Sequence, residues 1–226
     1  MLLVTRGLGL LLLLVSCSST TSDPLAGSRQ ALIAVTNAAG VTSGTLHRWE
    51  RDAEGGRWRE VGAEVPVVVG RKGVAPDGEK REGDGRSPGG TYSFGTAFGF
   101  AGSADFRVPY RQLKSTTECV DDSASRYYNQ IVDRDEVPAV DWSSSEKMRA
   151  VDQYRWGIVV NYNTPPAHQR GSCIFLHIWG GPSSTTAGCT AMKQEDLETV
   201  LRWLDPAANP RLVQFTREDY LRFTAR

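Results

Sequence analysis

The stretch Gly171-Ser-Cys-Ile-Phe-Leu-His177-Ile-Trp-Gly-Gly-Pro-Ser-Ser-Thr-Thr186-Ala-Gly188-Cys189-Thr-Ala-Met192 decides how the rest of the chain is read. Cys173 to Ile178 is an apolar run broken only by a histidine near its end, the pattern of a buried strand. A Gly/Pro/Ser loop follows, then a glycine directly before a cysteine. Beyond it, Leu197, Val200, Leu201 and Leu204 fall at i, i+3, i+4 and i+7, the apolar stripe of one helix. Glu195 and Asp196 stand in its first turn, and Asp205-Pro206 ends it.

Strands are predicted on both sides of this stretch. Ala31–Val35, Thr91–Phe94, Gly157–Tyr162 and Arg211–Phe215 are short and apolar. Thr45–Trp49 and Arg57–Val61 flank a Gly-Gly turn and read as a hairpin. In Val65–Val69, Pro66 marks a sheet edge or the first residues of a strand. Residues 70–90 are glycine-rich with mixed charges and read as loop, so Lys80, Arg81 and Arg86 are expected on a screened surface. Residues 110–150 lack periodicity and read as a long, partly helical insertion, with Asp121 and Asp122 in a solvated turn. The expectation is one mainly β domain over 30–226, a β-sandwich or barrel with one good helix.

Composition supports this. The chain has 226 residues, 40% hydrophobic and 23% charged, which is globular and long enough for a real core. Lysine plus arginine equals aspartate plus glutamate at 26 each, so a broadly basic nucleic-acid face is excluded. A metal site is not expected either. Cys173 and His177 are four residues apart on a strand, roughly 13 Å, beyond the reach of one zinc ion.

The N-terminus carries an export pattern. Met1 to Val15 holds one cation, Arg6, and an apolar run too short to span a bilayer but fitting the h-region of a secretory signal. Leu14-Val15-Ser16-Cys17, followed by Ser/Thr-rich sequence, resembles the bacterial lipobox. That resemblance implies a signal peptide over 1–16, lipidation of Cys17, a polar tether over 17–29, and a chain anchored in the membrane on the periplasmic side of the cell envelope. Each acyl methylene buried adds about 0.8 kcal/mol.

Export changes the reading of the other cysteines, because thiols pair in oxidising compartments. Cys119, Cys173 and Cys189 remain, which makes one pair and one free thiol the simplest arithmetic. Pairing Cys119 with Cys173 would close a loop of 54 residues, worth about 4 kcal/mol in the chain-entropy model. Pairing either with Cys189 would remove a nucleophile, and spacing alone leaves all three pairings open. A free Cys189 needs a nearby base, because the thiolate is the reactive form, and His177 on a neighbouring strand fits that role. Gly188 allows close backbone approach and a positive φ. Backbone N–H groups of Gly188 and Thr190, around Cys189, would then bind an oxyanion.

The run Thr186-Ala-Gly188-Cys189-Thr-Ala-Met192, with His177 upstream, resembles the L,D-transpeptidase catalytic domain of the YkuD type. Asp84, Ser87, Pro88, Gly90 and Tyr92 match that family's Asp-x-x-Thr-Pro-x-Gly-x-Tyr/Phe element. The resemblance covers roughly residues 30 to 215. Three positions depart from the usual pattern: Ile178 replaces a glycine, Ala187 a histidine and Ala191 an arginine. The spacing of 12 from His177 to Cys189 is also short for the family. The resemblance implies acyl transfer through a Cys189 thioester, with His177 as base oriented by a backbone carbonyl and no cofactor. The implied partners are peptidoglycan stem peptides, with Thr186 of the matched motif beside them. Trp179, next to the active strand, is read either as a stacking surface for sugar or stem peptide or as a core-lining side chain. It leaves two further readings, a peptidoglycan-trimming or protein-releasing hydrolase on the same scaffold and a catalytically silent peptidoglycan-binding lipoprotein.

Overall fold

The computed structural model describes residues 24–224. The signal segment, Cys17 and the first part of the tether lie outside the described residues. Residues 24–29, read as the end of the tether, are held against the domain. Arg29 N–H donates to Ala208 O at 2.7 Å, and Arg51 Nε donates to Ser28 O at 2.7 Å.

Short strands with one buried face close on themselves. β1 (Gln30–Thr36) and β2 (Ser43–Glu50) pair antiparallel. β3 (Arg59–Glu60) and β4 (Val65–Val68) share the other edge of β2. β5 (Val74–Ala75) and β6 (Ser87–Pro88) make a two-residue contact inside the glycine-rich loop. β7 (Gly90–Gly99) carries β8 (Tyr110–Gln112) on part of its edge. β9 (Thr117–Val120), β10 (Ile131–Asp133) and β11 (Ser145–Lys147) form a separate antiparallel sheet with β9 central. β12 (Trp156–Val160), β13 (Phe175–Ile178), β14 (Thr190–Met192), α1 (Gln194–Trp203), β15 (Arg211–Thr216) and α2 (Arg217–Thr224) complete the described chain.

The main sheet runs β1-β15-β7-β12-β13-β14-β4-β2, and β2 pairs back to β1. The result is a closed, barrel-like sheet, so the expected mainly β fold is what the chain adopts. Two junctions are parallel, β1 with β15 and β13 with β14.

The predicted helix is α1. It packs across β12 and β13, burying Leu197, Val200 and Leu201 with Leu32, Leu46, Ile158 and Leu176. Each such leucine stabilises by about 1.5–3 kcal/mol. After α1, the Asp205 side chain caps a short 3-10 turn at Pro206–Ala208. Pro66 is the second residue of β4, beyond the point where β14 pairing stops at Val67, so no ladder bond needs its missing N–H.

The 110–150 segment corrects the partly helical expectation. Its helical content is the 3-10 turn Met148–Ala150, followed by a second at Asp152–Arg155, and its framework is the three-stranded sheet. These strands were invisible to periodicity because they are three or four residues long. All four residues of β9 are buried, so its two faces do not alternate. The insertion covers the side of β13 opposite α1. There Phe98, Leu113, Met148, Tyr154, Phe175 and Cys189 form a second buried cluster with Cys119 and Cys173.

Candidate active site

Strand alternation sends neighbouring residues of β13 to opposite faces. Leu176 and Ile178 join the α1 core, while Phe175 joins the second cluster, which places His177 on the Phe175 face. The parallel register pairs Leu176 with Thr190 and His177 with Ala191. Cys189 therefore sits opposite Phe175, on the same face as His177. Phe175 N–H donates to Cys189 Sγ at 3.3 Å.

Both side chains open into one cleft of about 270 Å³, also lined by Trp179, Thr186, Tyr154 and Glu146. His177 Nδ1–H donates to Ile178 O at 2.7 Å, since the carbonyl can only accept. That fixes the tautomer and leaves the Nε2 lone pair free to take a proton. Burial lowers the imidazole to about 4, so it is neutral at pH 7. The Tyr154 ring packs edge-on against it, with centroids 5.2 Å apart.

The three open cysteine pairings resolve to one. Cys119 and Cys173 form the disulfide, with Cα atoms 6.0 Å apart. Cys189 is the free cysteine among the described residues and is buried. Its S–H donates to Cys173 O at 3.3 Å. Burial pushes the thiol well above its ordinary value, and the Glu146 charge adds to this. Phe175 N–H and the Lys80 cation pull the other way. The resting pair is a neutral thiol and a neutral imidazole.

The Asp84–Tyr92 element builds the floor beneath Cys189. Ser87 Oγ donates to Cys189 O at 2.8 Å and accepts from Gly70 N–H at 2.9 Å. Thr186 Oγ1 donates to the same carbonyl at 2.6 Å and accepts from Gly188 N–H at 3.2 Å. The Thr186 hydroxyl thus holds backbone, although the residue borders the cleft. Thr190 Oγ1 donates to Gln214 Oε1 at 2.5 Å, and Gln214 Nε2 donates to Pro88 O at 2.9 Å. Trp179 is half-buried on the cleft wall.

Two expectations change here. Gly188 does not take a positive φ. Its need for glycine is crowding, since a Cβ there would lie 3.2 Å from Arg86 O. Lys80 is not a surface residue: it is buried, with Nζ 2.7 Å from Asp84 Oδ1. Its side chain passes behind Gly188, where an added Cβ would lie 3.5 Å from Lys80 Cε. The Asp84 carboxylate is held below its usual range because hydrogen bonds from Lys80, Arg86 and Arg81 outweigh its burial. The i,i+4 spacing of Lys80 and Asp84 was the available signal. Asp122 does cap a turn, accepting from Ala124 N–H and Ser143 N–H, while Asp121 turns inward. Sequence reasoning missed Glu146 and Tyr154, which sit in a segment without readable period. Among the described residues no cluster of His, Cys, Asp and Glu could hold a metal ion.

A closed β sheet with a free thiol and a tautomer-fixed histidine in one cleft defines the class to which the comparisons point. The chain matches the YkuD family, the L,D-transpeptidase catalytic domain, over residues 43–213, and it belongs to that family. No curated protein matches it. Among solved structures it is similar to "Structure of Bdellovibrio bacteriovorus Bd1075", at 12% identity and a TM-score of 0.43. That match covers 88% of this chain and spans 56% of the other.

Proposed function

We propose that the protein is a cell-wall L,D-transpeptidase that works on peptidoglycan stem tetrapeptides through a Cys189 thioester. The observation that carries this reading is the shared face of β13 and β14, which directs Cys189 and His177 into one cleft. In the first step the thiol hydrogen turns from Cys173 O to His177 Nε2. Sulfur attacks the carbonyl of the diaminopimelate residue. Backbone N–H groups of the Gly188–Thr190 segment hold the developing oxyanion, Gly188 exchanging its bond to Thr186 Oγ1 for it. Such donors contribute on the order of a hundredfold each. The imidazolium then protonates the departing D-alanine amine, leaving a thioester. An amine attacks the thioester, His177 takes its proton, and sulfur leaves as the thiol.

The neutral resting pair supports transfer of the proton in step with attack, since a thiolate is costly in this burial. The Cys119–Cys173 bond supports an oxidising location. With the Leu14–Cys17 sequence, it supports export and lipid anchoring at Cys17, tested by labelled fatty acid incorporation that Cys17→Ala abolishes.

The deciding experiment incubates the soluble chain from residue 18, and its Cys189→Ala variant, with disaccharide-tetrapeptide and weighs the products. The expected result is a Cys189-dependent dimer lacking one D-alanine. D-alanine loss without dimer makes water the acceptor and the protein a hydrolase. Unchanged substrate with both proteins removes the enzymatic reading.

A further inference from the structure

One carboxylate stands in the wall of the cleft that holds the thiol. Glu146, on β11, lines the same cleft as Cys189 and His177. Tyr154 OH donates to Glu146 Oε2, and the same tyrosine ring supports His177. The charged groups around Glu146 are carboxylates. Asp121, just past β9, has a buried carboxylate oxygen with no hydrogen-bond partner. Glu82, in the loop before β6, accepts from Tyr128 OH at 2.6 Å and Ser172 Oγ at 2.7 Å. No cation is paired with Glu146 among the described residues, and its neighbour Lys147 reaches instead to Glu118. A carboxylate with one tyrosine donor, open to a cleft, has lone pairs left for a cationic ligand.

The proposed reaction, on which this inference rests, brings such a ligand. The acyl acceptor is an amine, which is an ammonium at neutral pH. We propose that Glu146 is the acceptor-selecting residue of the cleft: its carboxylate receives the ammonium of the acyl acceptor and takes one proton from it. The step balances. Ammonium and carboxylate give amine and carboxylic acid. The amine then attacks the thioester, passing its second proton to His177 and on to the departing sulfur, and Glu146 returns its proton to solvent. Water carries no charge and forms no ion pair with Glu146, so the residue favours an amine acceptor over water.

The titration of this group fits the role. Burial, with the Asp121 and Glu82 charges, raises Glu146 to about 7, while the Tyr154 hydrogen bond pulls it down. Ammonium recognition is present above about pH 7 and lost below it.

The test needs no turnover. Calorimetry on the Cys189→Ala protein compares disaccharide-tetrapeptide bearing a free side-chain amine with its N-acetylated form. The free-amine form is expected to bind roughly tenfold tighter at pH 8, the size of one charge-assisted hydrogen bond. That preference vanishes at pH 6 and in Cys189→Ala/Glu146→Gln. With Tyr154→Phe added instead, the preference remains but sets in at higher pH, because the lowering hydrogen bond is gone. A preference that survives Glu146→Gln, or is absent from the Cys189→Ala protein, overturns the proposal. Failure of the functional reading is seen separately, as no Cys189-dependent D-alanine release.

Discussion

β13 presents two unlike faces. Leu176 and Ile178 meet α1 across an apolar layer, while Phe175 and His177 meet aromatic rings, a disulfide and a free thiol. The first face is built only to be dry. The second holds a neutral histidine, a thiol pushed up by burial and a half-buried carboxyl, each costing stability that the first face supplies. Stability and chemistry are separated by one residue along one strand.

The sharpest way to test that separation is to remove the thiol. Cys189→Ala should lower D-alanine release by at least ~10³-fold, with a stability change of only about 1 kcal/mol. Mass spectrometry and urea titration read the two quantities. The disulfide should break the separation instead. Cys119→Ser with Cys173→Ser removes about 4 kcal/mol of chain-entropy stabilisation. It also frees the segment whose Cys173 carbonyl holds the Cys189 thiol, so urea midpoint and activity should fall together. Leu201→Ala, on the dry side, should cost about 3 kcal/mol. Below its melting temperature it should leave kcat within about twofold, because the apolar cluster that holds Leu201 shares no residue with the cleft lining.

A smaller, graded effect comes from pH. The unfolded chain protonates His177 near its ordinary 6.5, whereas the folded chain resists protonation until about 4. The unfolded state therefore binds more protons in that window. From this group alone stability falls by up to about 3 kcal/mol as pH drops from about 6.5 to about 4, and Glu146, raised to about 7 in the folded chain, opposes that fall over nearly the same range. His177→Gln should remove the His177 contribution and so make stability at pH 5, relative to pH 7, higher than in the unsubstituted protein, which urea midpoints across the pH range would show.

How much of this was legible follows from where the signals lie. The α1 stripe, β13 and the Cys189–His177 pair were readable because apolar period and residue type mark them locally. The disulfide was one of three arithmetical options until the fold chose. The β9–β11 sheet was not readable, because strands this short with both sides covered carry no alternation. Lys80 looks in sequence like one charge among many, and its burial depends on the Asp84 partner and on the tertiary approach of Gly171 and Gly188. Glu146 was equally silent, since its meaning depends on Tyr154 and on a cleft built by distant segments.

The parallel seam between β1 and β15 has a consequence in time. Ala31 pairs with Arg211 and Thr36 with Thr216, so the seam joins segments 180 residues apart. A chain emerging from the ribosome can form the β1–β2 hairpin early, but the ring stays open until β15 exists. Long-range closure of this kind is slow, because loop entropy is lost before contacts reward it. The architecture therefore delays closure of the ring around the cleft until residues 211–216 have been made.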